Sequence, residues 1–146
     1  MAITNDYREQ GLLVLRVGIG LLFMYFGWPK IIGGEETWAK VGSMAMTPIG
    51  IHFALPFWGF MAAIAEFGGG LLLTLGLFTR LACGLLTFTM IMATVFKFST
   101  GGGLAGASQP LSMGIVFFSL LFIGPGRYSF DAWLGAKSAH SWGRGR

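Results

Sequence analysis

Residues 55–78, LPFWGFMAAIAEFGGGLLLTLGLF, decide the fold class. The stretch exceeds the roughly 20 residues that a helix needs to cross a bilayer, and its one ionisable group is Glu66. It has no alternation of period two, so it reads as a helix and not as a strand of a membrane barrel. Glu66 lies twelve residues before Phe78, which is roughly 18 Å along a helix axis at 1.5 Å per residue. An ionised carboxylate at that depth is costly unless it is paired or protonated.

Three further apolar segments flank this one, at about 11–28, 81–96 and 106–123. The last reaches spanning length only if its 111–123 core extends back through 105–110. The rest of the chain agrees. Of its 146 residues 54% are hydrophobic and 11% charged, with mean hydropathy +0.69. A soluble domain carries about 25% charged residues, so this chain cannot cover a water-facing surface. The net charge of +4 is scattered beside the apolar runs, a pattern of membrane orientation and not of a nucleic-acid footprint. Disorder and a coiled coil are excluded on the same composition. The expectation is an all-α integral membrane four-helix bundle, one transmembrane domain over 1–146 with a basic tail at 124–146.

The connections differ in kind. Pro29 to Ala54 reads as a long loop holding Gly33-Gly34, Glu35-Glu36, Trp38 and Pro48, and Thr79-Arg80 as a tight turn. Lys97 to Gln109 contains Gly101-Gly102-Gly103, and Gly124-Pro125-Gly126 stops the fourth helix. The side with both termini and the tight turn carries Arg8, Arg80, Arg127, Lys137, Arg144 and Arg146, against Lys30, Lys40 and Lys97 opposite. Six against three places both termini in the cytoplasm. Trp28, Trp38, Phe57 and Trp58 then read as an outer aromatic belt, and Tyr128 and Trp133 as an inner one. The first apolar run reads as an uncleaved anchor, since no small-residue cleavage site follows it.

Candidate chemistry is sparse. Cys83 is the only cysteine, so there is no CxxC pair or internal disulfide, and it reads as an inert buried thiol. His52 and His140 fall in a loop and the tail and cannot supply paired haem ligands. No metal set is visible. Gly68-Gly69-Gly70 reads as helix packing, because no strand precedes it and no Lys-Ser/Thr follows. Ser112 and Ser119 read as helix–helix hydrogen bonders.

Glu66 carries the most information. Ala62, Gly69 and Gly70 share its helical face, and small residues allow close helix approach, so the carboxylate points into the bundle. It is either a proton-accepting or ligand-binding group, or a neutral or paired acid that fixes helix register. Arg16 is the expected partner. It shares a stripe with Gly20, Phe23, Gly27 and Lys30; the alternative is that it snorkels to the lipid phosphates. Lys30, Arg80 and Arg127 read as boundary residues that contact phosphates or a partner.

Several of these elements together resemble the DoxX family. They are Arg16, Phe26-Gly27-Trp28-Pro29-Lys30, Glu66-Phe67-Gly68-Gly69-Gly70, Gly76-Leu77-Phe78-Thr79-Arg80 and Gly124-Pro125-Gly126-Arg127-Tyr128-Ser129-Phe130-Asp131. The resemblance spans about Leu12 to Leu134 and implies a four-helix protein of the bacterial inner membrane, often linked to redox or sulfur metabolism. A related family supplies the membrane subunit of a thiosulfate:quinone oxidoreductase. Two positions depart from the pattern: Phe26 stands where members commonly have His, and Gln109-Pro110-Leu111 where an acidic residue often opens the fourth helix.

The expected function is therefore an accessory subunit of a redox-linked membrane complex without self-sufficient catalysis. Its partners are lipids and other membrane subunits or further copies of itself, with no nucleic acid. The alternative is a quinone- or lipid-binding oxidoreductase subunit with a polar pocket at Glu66 and Arg16. No cofactor ligand is encoded, and quinone is the cofactor class such a pocket would take. A small transporter ranks last, since the sequence displays neither an inverted repeat nor a broken helix.

Overall fold

The computed structural model describes residues 2–135, which are helical with no strand among them. The first helix, α1, runs from Ala2 to Ile32 with Pro29 inside it. It is interrupted at Gly33 and Gly34, and Gly34 takes φ +70°, a conformation that costs other residues a clash with their own Cβ. Helix α2, Gly34–Met46, begins there with Glu35 and Glu36 in its first turn, where carboxylates complement the helix dipole. A 3₁₀ turn, Thr47–Ile49, leads to α3, Leu55–Leu75. Helices α4, Thr79–Ser99, and α5, Gly103–Ile123, complete the bundle, and a short helical segment occupies 130–135. The expected basic tail beyond 135 lies outside the described residues.

Two expectations need correction. The stretch from Pro29 to Ala54 is not a loop: α1 passes through Pro29, and most of the remainder is α2. Proline lacks one N–H and kinks a helix, but here the helix runs on for three more residues before the glycines end it. The tight turn also begins earlier than Thr79. Gly76, at φ +69°, closes α3 with Gly76 N–H on the Leu73 carbonyl and Leu77 N–H on the Leu72 carbonyl, the paired bonds of a Schellman cap.

Contacts along the bundle show how α1 and α2 share one neighbour. Gly20 faces Gly70 and Thr74, Gly27 faces Phe67, Trp38 faces Gly59, and Gly42 faces Leu55. Numbers rise on one side as they fall on the other, so α1 covers the C-terminal part of α3 and α2 covers its first turns. The interruption between them falls level with the middle of α3. On its other side α3 packs on α4, and α4 on α5. Leu12, Phe23, Leu73, Leu86, Met90, Phe117 and Leu120 form the core, with the Phe23 and Phe117 rings edge to face at 4.8 Å.

The outer surface is apolar, with Tyr25, Phe88, Ile115 and Phe122 exposed. Among the described residues four helices are long and apolar enough to cross a membrane: α1 from Asp6, α3, α4 and α5.

Candidate functional site

Glu66 is buried at the twelfth of the 21 positions of α3, the middle of a span. Its partner is Lys30, whose ammonium donates to Glu66 Oε2. Arg16 is not that partner. The reason lies in α1, which does not end at Trp28 but carries Lys30 to mid-span. Gly27 makes this possible, because a Cβ there would meet the Phe67 backbone nitrogen at 2.6 Å. The Trp38 indole N–H donates to the Lys30 carbonyl at 2.8 Å, satisfying an acceptor near the helix interruption. Lys30 is therefore half-buried beside the middle of α3.

The pair opens onto a cavity of about 410 Å³ between α2, α3 and α4. Its walls are apolar, with Val41, Met44, Met61, Leu85 and Phe88 prominent, and Trp58 also lines it. The Trp58 indole N–H is buried without a hydrogen-bond partner. A cleft of this size and character takes a small amphipathic molecule. Lys30 and Trp58 offer donors to an oxygen acceptor, and Glu66 offers an acceptor for a proton or hydroxyl.

Arg16 builds a second, separate centre. It is 2% exposed, and its guanidinium donates through Nη1 to the Pro125 carbonyl and through Nη2 to the Tyr128 carbonyl, the latter at 2.6 Å. Around it the elements of the family resemblance converge. Asp131 accepts from Phe78 N–H at 2.8 Å and Thr79 N–H at 2.9 Å, while Asp131 N–H donates to the Gly76 carbonyl at 2.9 Å. Glu9 accepts from Arg127 N–H at 2.6 Å. The polar pocket expected to hold Glu66 and Arg16 together is thus two sites, because Arg16 is spent on the loop after α5. Arg80 and Arg127 are exposed at this same end, with Arg127 3.9 Å from Asp6.

Sequence reasoning missed Trp58, assigned to an aromatic belt, and Asp131. The signal for Asp131 was available: a carboxylate can cap a helix that starts with Thr79, though its capping partner lies 52 positions away. Among the described residues no three His, Cys, Asp or Glu side chains gather at a common point.

The DoxX family model matches residues 11–99, from the early part of α1 to the end of α4. The chain belongs to the DoxX family. It is similar to the inner membrane protein YqjF of Escherichia coli (strain K12), 34% identical over 134 residues that cover 89% of this chain and 96% of that one. It also resembles the inner membrane protein YphA of the same organism, at 27% identity, with 82% and 87% covered. No solved structure gives a significant match. This DoxX protein is a multi-pass protein of the bacterial inner membrane, with four apolar helices. Lys30, Glu66 and Arg16 all fall within the residues that the family model matches.

Proposed function

We propose that this DoxX protein is an accessory subunit of a redox-linked membrane complex, and that its groove seats a quinone-class molecule for that complex. The observation that carries the reading is the Lys30–Glu66 pair, with the carboxylate buried at the middle of α3 and the half-buried ammonium beside it, open to an apolar cleft. Burying such a pair seldom adds stability over apolar side chains, and intramembrane ionisable groups mark function by default. A quinone carbonyl would accept from Lys30 or Trp58, its ring would lie among Met61, Leu85 and Phe88, and electrons would come from a partner subunit. Both termini face the cytoplasm in this reading, on the charge count above.

The test is quinone retention. The protein purified in mild detergent from a quinone-containing membrane should carry quinone, and Lys30→Met with Glu66→Met should lose it while staying folded. Retention unchanged in that double variant refutes the groove. Affinity capture with mass spectrometry should return a defined set of redox subunits; a pure homo-oligomer refutes the accessory role. Reporters inserted at Gly50 and fused after Arg146 should report opposite compartments.

The interruption between α1 and α2 beside the pair favours a second reading, a small transporter, since discontinuous helices at mid-membrane frame many transport sites. Ligand-dependent proton uptake into proteoliposomes, abolished by Glu66→Gln, would select it.

A further inference from the structure

We infer that the cavity beside Arg16 binds the phosphate of an anionic phospholipid. The cavity measures about 380 Å³ and is bounded by Leu13, Arg16, Leu75, Tyr128, Phe130 and Trp133. It is separate from the groove and does not depend on its occupant.

Three observations converge on this ligand. The first is charge. Arg16 is 2% exposed, and its hydrogen-bond partners are main-chain carbonyls, which satisfy donors without neutralising the cation. Neither ion pair among the described residues involves it. Asp131, whose charge acts on Arg16 through space, makes no ion pair with it and has its two oxygens on Phe78 and Thr79 N–H, while Glu9 and Asp6 engage Arg127. A buried guanidinium in a membrane protein is held by an opposite charge or by main-chain carbonyls; here the carbonyls hold it, and no anion among the described residues is in contact with it.

The second is a spare donor. Arg16 Nε is buried and has no hydrogen-bond partner, although the other two nitrogens are engaged. The Ser129 and Thr74 hydroxyls that line the cavity are not spare: Ser129 Oγ donates to the Gly126 carbonyl at 2.7 Å and accepts from Ala132 N–H, and Thr74 Oγ1 donates to the Gly70 carbonyl.

The third is depth and lining. Arg16 lies against Gly76, where a Cβ would come within 2.6 Å of its Cζ, and Gly76 caps the end of the α3 span. The end of an apolar span of this length is where lipid headgroups are expected. Apart from Arg16, Thr74 and Ser129 the walls are leucine and aromatic side chains, which accommodate the glycerol and upper acyl chain of an amphiphile and add nothing to the binding of a free inorganic ion. Amphipathic aromatic rings at this level are themselves characteristic of the interface.

The experiment uses the full chain in detergent, probed with phosphatidylglycerol, phosphatidylethanolamine and inorganic phosphate by native mass spectrometry and thermal unfolding. Phosphatidylglycerol should bind at about tenfold lower concentration than phosphatidylethanolamine, whose headgroup ammonium offsets the phosphate charge that would face Arg16. Leu75→Trp fills the cavity from α3 without touching the bonds of Arg16. It should abolish the preference while leaving lipid-free stability intact, and Ile115→Trp on α5 should leave the preference unchanged. Equal binding of the two lipids, a preference that survives Leu75→Trp, or stabilisation by inorganic phosphate that matches the lipid would each overturn the assignment.

Discussion

Lys30 and Arg16 leave the same helix, yet the bundle treats their charges in opposite ways. Lys30 meets a carboxylate on the neighbouring helix at mid-span, beside an open apolar cleft. Arg16 meets main-chain carbonyls at the end of the span, in a loop 109 and 112 residues further along. The carbonyls belong to the main chain and are there whatever the side chains, so Arg16 ties the loop after α5 to α1. The Lys30–Glu66 pair has apolar equivalents that would pack as well or better. Its persistence in the centre of the bundle therefore asks for a reason other than stability, and the groove supplies one.

The comparison breaks if the two centres respond alike to substitution. Arg16→Ala should be the most damaging change, at about 4 kcal/mol, since two hydrogen bonds to a charged group are lost at about 1.5–3 kcal/mol each. Unfolding in mixed micelles followed by tryptophan fluorescence reads this directly, and a loss under 1 kcal/mol would remove Arg16 from its structural role. Lys30→Met alone strands Glu66 and should cost about 3 kcal/mol. Adding Glu66→Met should then restore stability to within about 1 kcal/mol of the parent, a rescue with no counterpart at Arg16. Absence of that rescue would make the pair structural as well. Asp131→Ala removes the cap on Phe78 and Thr79 N–H and should cost about 1 kcal/mol. Arg127→Ala, whose pair with Asp6 is largely exposed, should move the unfolding midpoint by less than about 0.5 kcal/mol.

The sequence disclosed the spans more fully than the site. Continuous hydrophobic runs and a glycine-led stop are local signals, and they marked out α3, α4 and α5 to within a turn or so. Glu66 stood out because a single acid in a 24-residue apolar stretch has a physical cost that demands an explanation. Its partner was not legible for a specific reason. Pro29 and the following Gly33-Gly34 read as the end of a helix, which placed Lys30 at the boundary and left Arg16 as the nearest interior cation. Helix α2 was hidden likewise, behind Glu35 and Glu36, which look like loop residues but sit where a helix dipole favours them. The partners of Arg16 are backbone oxygens, and a carbonyl leaves no mark in the identity of its residue. Only the family resemblance pointed to that loop, without saying what it holds.

The glycines of α3 have a mechanical consequence for the groove. A methyl at Gly59 would run into the Trp38 backbone, and one at Gly42 into that of Leu55, so α2 and α3 are joined main chain to main chain. Across the bundle Gly69 faces only the side chain of Leu86, and Leu85 and Phe88 line the cavity from α4 as rotatable groups. The groove thus has one stiff wall and one compliant wall. A molecule arriving from the bilayer cannot part α2 from α3. The side that can adjust to an occupant is the α4 wall, where Leu85 and Phe88 are themselves exposed at the apolar outer surface.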